Sequence, residues 1–373
     1  MNSSLSLSKL IDTIRKEESE IIRRFCNIYL RKKQAVFSPA IVLSVVLFVA
    51  LIESIVGTPL FAAYRKEEQA AGDNINIVRP STKEWIDRLG MNCFGGGLGV
   101  FGWKPGSRDL VWDRVIKSVD GNRVEVYAPV TTAIEAQFGG GFVQRYSRPG
   151  RISRLGVENL RCESSFDPGN PKDEAHSWTA VTMENVENAW VRQVTMMHFA
   201  GSAVAVWETA KKVTVRECLS LAPISEDGGY RRHSFFTMGQ LTLFLHCFAE
   251  YGRHDFSVGH CAAGPNAFVQ CEAVSPLDDS GPIESWSSGT LYDNINIEGG
   301  ALRLCNRGSR GQGIGWAAAN SVLWQSAVRR SSNATILRRL RTGLSAAGAS
   351  SRVTESGMNR TILSSRPACT PRN

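Results

Sequence analysis

Phe244-Leu245-His246-Cys247, Phe268-Val269-Gln270-Cys271 and Tyr292-Asp293-Asn294-Ile295 are one short phrase written three times at a constant step. Upstream it reads Val157-Glu158-Asn159-Leu160, Val191-Arg192-Gln193-Val194 and Val215-Arg216-Glu217-Cys218, and downstream Leu323-Trp324-Gln325-Ser326. The first position is always large and apolar, the third always polar, the fourth nearly always apolar. Successive phrases are offset by 34, 24, 29, 24, 24 and 31 in the numbering. A fixed minimum period with occasional longer steps predicts a solenoid whose coils carry loop insertions.

Each period holds three or four short β-type runs and no helical period. Val204-Ala205-Val206-Trp207, Lys212-Val213-Thr214-Val215 and Cys218-Leu219-Ser220-Leu221 make one such coil. Strands this short cannot close a core alone and must stack on their neighbours. A right-handed parallel β-helix is therefore expected, all-β, with coils about 4.8 Å apart. The apolar first column should face inward, and the polar third column should mark a tight bend with side chains bonded along the stack. A leucine-rich repeat is excluded, because its Leu-x-x-Leu-x-Leu pattern is absent. Cys218, Cys247 and Cys271 share an inward column and read as buried apolar thiols. No Cys-x-x-Cys pair suggests zinc.

Several runs carry a resemblance. Gly156-Val157-Glu158-Asn159-Leu160-Arg161-Cys162-Glu163-Ser164, His198-Phe199-Ala200-Gly201-Ser202-Ala203-Val204, Gly264-Pro265-Asn266-Ala267-Phe268-Val269-Gln270-Cys271 and Gln312-Gly313-Ile314-Gly315-Trp316 are of this kind. Over residues 78–328 the chain resembles the pectate-lyase-like (pectin lyase fold) β-helix superfamily of secreted bacterial proteins. That resemblance implies an exported protein related to polysaccharide processing.

The ends differ from the middle. Residues 1–34 include a mixed-charge amphipathic segment. Within 35–63, Val36 to Ile52 is apolar apart from Ser and Pro, and Arg31-Lys32-Lys33 precede it. This predicts a transmembrane or signal-anchor helix that holds the protein on the membrane with its coils outside the cytoplasm, or a signal that releases it. Residues 64–77 read as a linker and 78–328 as the coiled domain. Residues 329–373 hold nine Arg, one Glu and no aromatic residue, so a disordered tail is expected. The abrupt end of the coil rhythm after Ala327 suggests a truncated or shifted reading frame. The tail accounts for the whole net charge of +8. The remaining chain is balanced, so no nucleic-acid partner is expected.

A sharper repeat suggests a site. Tyr230-Arg231-Arg232-His233-Ser234-Phe235 matches Tyr251-Gly252-Arg253-His254-Asp255-Phe256 at an offset of 21. On neighbouring coils this predicts Arg232 beside Arg253 and His233 beside His254. Stacked cations call for an anion, and Arg reads carboxylates with a bidentate fork. An acidic polysaccharide is the expected partner, with Arg232, His233, Tyr230, Tyr251 and Trp286 as binding groups. Cleavage would use Arg253 or His254 in β-elimination, or Asp255 and Glu284 in hydrolysis. The alternative is a non-catalytic carbohydrate-binding or surface-structural solenoid. No metal site is expected. Glu184 and Glu208, one minimum period apart, could stack to bind calcium or simply face water, and Asp278-Asp279 reads as a solvated loop.

Overall fold

The computed structural model describes residues 70–93, 102–121, 123–309 and 313–329, and the backbone of 351–353. These residues belong to one compact unit, 69–373. The chain is all-β, with two large sheets of 14 and seven strands, parallel but for one edge strand of the second, and a smaller antiparallel sheet of four. The large sheets are built rung by rung. Val157, Val191, Val215, Phe244, Phe268, Tyr292 and Leu323 pair in that order, parallel and without slippage. The seven sequence phrases therefore lie in one column.

Each coil contributes four short faces. The first runs through Ser153, Glu187, Lys211 and Gln240, and further along the stack through Ala263 and Ser288. The second carries the repeated phrase. The third runs through Thr195, Leu219, Phe248, Glu272, Asn296 and Ala327. The fourth comprises Thr179–Met183, Ser202–Val206, Phe235–Thr237, Phe256–Val258, Asp279–Pro282 and Ala301–Leu304. Longer steps in the sequence are loops inserted between faces: 164–178, 222–234 and, among the described residues, 305–309 and 313–317.

The polar third position of the phrase is explained by backbone geometry. Asn159, Gln193, Glu217, His246, Gln270, Asn294 and Gln325 all have φ between +47° and +57°. Branched apolar residues resist that left-handed region most; Asn and His tolerate it best, and Gln and Glu, unbranched at Cβ, can adopt it. The bend separates the second face from the third. Its side chains also bond along the stack, with Gln193 Nε2 donating to Glu217 Oε2 at 2.9 Å and His246 Nε2 meeting Gln270 Oε1 at 2.5 Å.

Inside, the first column forms an aromatic stack. Phe244 and Phe268 lie 4.6 Å apart at 12°, and Phe268 and Tyr292 lie 5.2 Å apart at 4°. Cys218, Cys247 and Cys271 are buried thiols on the next inward column. Val157 and Leu160 belong to the outermost described rung, and Leu160 is 51% exposed where its downstream equivalents are buried.

The parallel coils begin at Ile152, not near residue 78. Residues 74–145 form the antiparallel sheet instead, with Asn74–Arg79 between Leu110–Asp120 and Phe142–Arg145. Its alternating apolar residues read as strands but carry no coil period, so the sequence could not separate the two. The expected linker 64–77 likewise overlaps its first strand. One short helix, Lys83–Leu89, is capped by Thr82 and ended by Gly90 at φ +67°.

This module packs on the first face of the coils. Trp85, Trp103 and Trp112 form a core with Trp286, Ala263 and Ala319. Charged groups lock the join: Lys211 Nζ lies 2.7 Å from Asp113 Oδ1 and Arg151 Nη1 2.8 Å from Asp113 Oδ2. Arg114 Nη2 donates to the Gly264 carbonyl at 2.6 Å.

The expected membrane or signal helix, 35–63, lies outside the described residues, as does segment 1–34. Among the described residues, no helix is long and apolar enough to cross a membrane. Most of the tail, 329–373, also lies outside them. Its backbone at Ser351–Val353 pairs antiparallel with Leu302–Leu304, so this part is a strand, not the disordered segment expected.

Candidate ligand cleft

The Arg–His repeat does fall on neighbouring rungs. Phe235 pairs with Phe256, and the His233 and His254 rings meet at 5.1 Å. Their environment is not that of an open groove. His233 is 1% exposed, and burial, then the charges of His254 and Arg253, push its pKa down to about 3. His254 is 6% exposed, with Nδ1 2.5 Å from the Asp279 carbonyl oxygen, and burial lowers its pKa too. Both imidazoles are neutral packing groups near pH 7.

Asp255 is fully buried. It turns into the corner of the coil, where Ser234 Oγ donates to Oδ1 at 2.7 Å. The site exists because residue 252 is glycine, since a Cβ there would stand 1.8 Å from Asp255 Oδ1. Desolvation raises the Asp255 pKa to about 7, and Oδ2 has no partner. It neither orients His254 nor faces Arg253, so the expected catalytic role of this pair is corrected.

The two arginines are already satisfied. Arg232 donates from Nε and Nη2 to Ser225 Oγ and O, at 3.0 and 2.7 Å. Arg253 pairs with Asp227 at 2.8 Å and Asp278 at 3.6 Å. Tyr251 sits on a left-handed bend at φ +53°, whereas Tyr230 stands on the inserted loop, so the matched tyrosines part company. Trp286 is also displaced from a ligand role. It is buried edge-on against Trp85 at 4.7 Å and Trp103 at 5.6 Å.

Two predicted residues, Tyr230 and Glu284, do meet at a cleft. The Tyr230 hydroxyl donates to Glu284 Oε1, and the His260 backbone N–H donates to Oε2 at 2.5 Å. Gly259 leaves room for that carboxylate, since a Cβ there would lie 2.9 Å from Oε2. The cleft is about 480 Å³ and is bounded by Trp207, Glu208, Tyr230, His260, Glu284 and Arg108. Trp207, Met238, Gly259 and Ile283 follow the fourth-face strands on successive rungs, so the cleft climbs the stack. Ile314 bounds it above, and its carbonyl accepts from Trp103 Nε1 at 2.7 Å and Ser285 Oγ at 2.9 Å.

Arg108 completes the cleft from the antiparallel module. Nη1 donates to the Ser107 carbonyl at 2.7 Å, while its buried Nε has no partner. Among the described residues, no carboxylate pairs with it. Desolvation lowers its pKa, opposed by the negative charges near it, Glu284 among them. His260 is pushed down by burial and then by the Arg108 charge, which keeps it neutral.

Sequence reasoning missed Arg108, Trp207 and His260, while Glu208, read as facing water, is indeed exposed and stands at the rim of the cleft. Only the longer phrase steps of 29 and 31 pointed here, because their inserted loops carry Tyr230 and Ile314. The expected Glu184–Glu208 stack does not form, since Met183 pairs with Val206 and the next positions fall out of register. Asp279 is buried, not solvated, and holds Arg307 at 2.8 and 3.3 Å. It groups with His254 and Asp278 in a metal-like geometry, but Arg307 already occupies its carboxylate.

No protein-family model matches this chain, and no curated protein does either.

Proposed function

We propose that this protein is an exported, right-handed parallel β-helix that binds an acidic glycan in the cleft between Arg108 and Glu284. The handedness follows from the strong preference of parallel crossovers. The resemblance to the pectate-lyase-like superfamily supports the same reading. Export is supported by the apolar run Val36 to Ile52 behind Arg31-Lys32-Lys33 and by the disulfide bond of Cys93.

The observation that carries the ligand class is Arg108, a partly buried guanidinium facing the cleft without a carboxylate partner. An anionic substituent would complete its bonding, and guanidinium recognises carboxylates best. Trp207 and Tyr230 offer apolar faces for sugar rings, and Glu208 and Glu284 accept from hydroxyls. The acidic reading thus rests on Arg108, not on the satisfied Arg232 and Arg253.

Cleavage is a second reading, favoured by two carboxylates, Glu208 and Glu284, in one cleft. In hydrolysis one donates a proton to the leaving glycosidic oxygen while the other takes a proton from the attacking water.

Titration calorimetry with uronate-containing and neutral oligosaccharides tests the proposal. Arg108→Ala should weaken acidic ligands by about 1.5–3 kcal/mol, as expected for a lost charge-assisted bond, and leave neutral ones little changed. Equal binding of both ligand classes would end the acidic reading. Glu284→Gln should abolish any release of reducing ends while weakening acidic ligands less than Arg108→Ala does.

A further inference from the structure

We propose that the outer surface of the second face is a self-association surface, on which two copies of this chain pack with their coils running in opposite directions. The side chains flanking the inward column form two outward rows. One reads Trp190, Thr214, Leu243, Ala267, Leu291, Val322. The other reads Arg192, Arg216, Leu245, Val269, Asp293, Trp324. Most are apolar, yet Trp190, Leu291 and Trp324 are 37%, 36% and 39% exposed. A continuous apolar strip on a sheet face marks an interaction surface.

The order of the second row selects the occupant. A two-fold axis parallel to the strands, between Leu245 and Val269, turns each row onto itself with the coil order reversed. Arg216 of one copy, paired within its own chain with Glu217 at 2.6 Å, then lies opposite Asp293 of the other, Leu245 opposite Val269, and Arg192, paired with Glu158 at 2.8 Å, opposite Trp324. The carboxylate of Asp293 is half-buried and has no hydrogen bond or ion pair among the described residues, so once a second copy displaces its water the Arg216 of that copy is the counter-ion within reach. A two-fold axis along the coils would instead set Asp293 against Leu291 and leave it buried without a partner.

Shape agrees with charge. A hollow of about 430 Å³ is bounded by Glu158, Trp190, Arg192 and Arg216 on the early rungs. The Trp190 ring lies over Gly156, where a Cβ would come within 2.2 Å of it, and Nε1 donates to Glu158 Oε2 at 3.2 Å. The strand-parallel axis brings Trp324 of the second copy into this hollow, among the arginines, in a cation–π setting. Such a contact is isologous, as closed dimers require. Six rungs, separated by five spacings of about 4.8 Å, give a strip roughly 24 Å long. A strip that narrow belongs to the small, reversible class of interfaces, with dissociation at micromolar concentration.

Sedimentation velocity of the full-length chain over about 1–300 µM tests this, the range bracketing the expected affinity. A reversible monomer–dimer equilibrium is expected. Asp293→Arg should weaken it by at least about tenfold, because two like charges then meet. The charge swap Arg216→Asp with Asp293→Arg should restore it. Trp324→Ala should weaken it without altering the far-ultraviolet circular dichroism spectrum. A monomer throughout the range overturns the proposal. So does a dimer indifferent to both Asp293→Arg and Trp324→Ala, or one that the charge swap fails to restore.

Discussion

Asp255→Asn offers the most informative single change, because it separates a structural carboxyl from a catalytic one by the pH dependence of stability. Folding raises the Asp255 pKa from the ordinary 3.8 to about 7, chiefly through desolvation. Between those values the folded chain holds a proton that the unfolded chain has lost. Stability therefore falls as pH rises, by about 1.4 kcal/mol per pH unit, and levels off above pH ~7. Over roughly three units the loss is about 4 kcal/mol. His233 acts with the opposite sign. Its folded pKa is lowered from 6.5 to about 3, so its contribution is full above pH 6.5 and is lost as pH falls toward 3. The two slopes oppose each other through much of the acid range, and the unaltered protein conceals both. Asn at 255 removes one slope. It keeps an acceptor for Ser234 and places an unpartnered amide where Oδ2 lies, a pH-independent cost of about 1–3 kcal/mol. Urea denaturation of both proteins from pH 4 to 9 should show the variant gaining about 1.4 kcal/mol per unit up to pH ~7, then running parallel. Parallel curves throughout would refute the assignment of Asp255 as a buried, proton-holding corner. His233→Gln should give the mirror-image difference below pH 6.5.

Phe268→Ala, in the middle of the aromatic column, should cost about 3–5 kcal/mol in urea denaturation, while Leu160→Ala on the exposed first rung should cost under about 1. Lys211→Met should cost about 3 kcal/mol, because Asp113 stays buried with only Arg151 as counter-ion. A cost below about 1 kcal/mol would mean that the module does not depend on this charge lock.

The repeated phrase was legible because its physics is local and periodic. An inward apolar residue, a polar residue that tolerates a left-handed bend and a second inward residue recur wherever one rung must sit on the next. The column Val157 to Leu323, the buried thiols and the bend at Asn159 to Gln325 all follow from that rhythm. The extent of the coils was not legible upstream of Ile152. Strands of the antiparallel module alternate in the same way, and their pairing partners are set by contacts with no period.

The site shows the same division. Residue order brought His233 beside His254 and Arg232 near Arg253, since one matched phrase is enough to align two rungs. Whether such a pair faces water or the interior depends on the corner geometry around it, and here Gly252 opens a space that takes Asp255 inward. Sequence placed Tyr230 and Glu284 in one neighbourhood. Only the tertiary structure joined them to Arg108, which lies far upstream in the chain and reaches the cleft because a tryptophan core docks its module on the coils. The repeat thus determined the stack, where each rung repeats the last. The cleft was decided by insertions and by a separate module, where nothing repeats and burial alone chooses the partners.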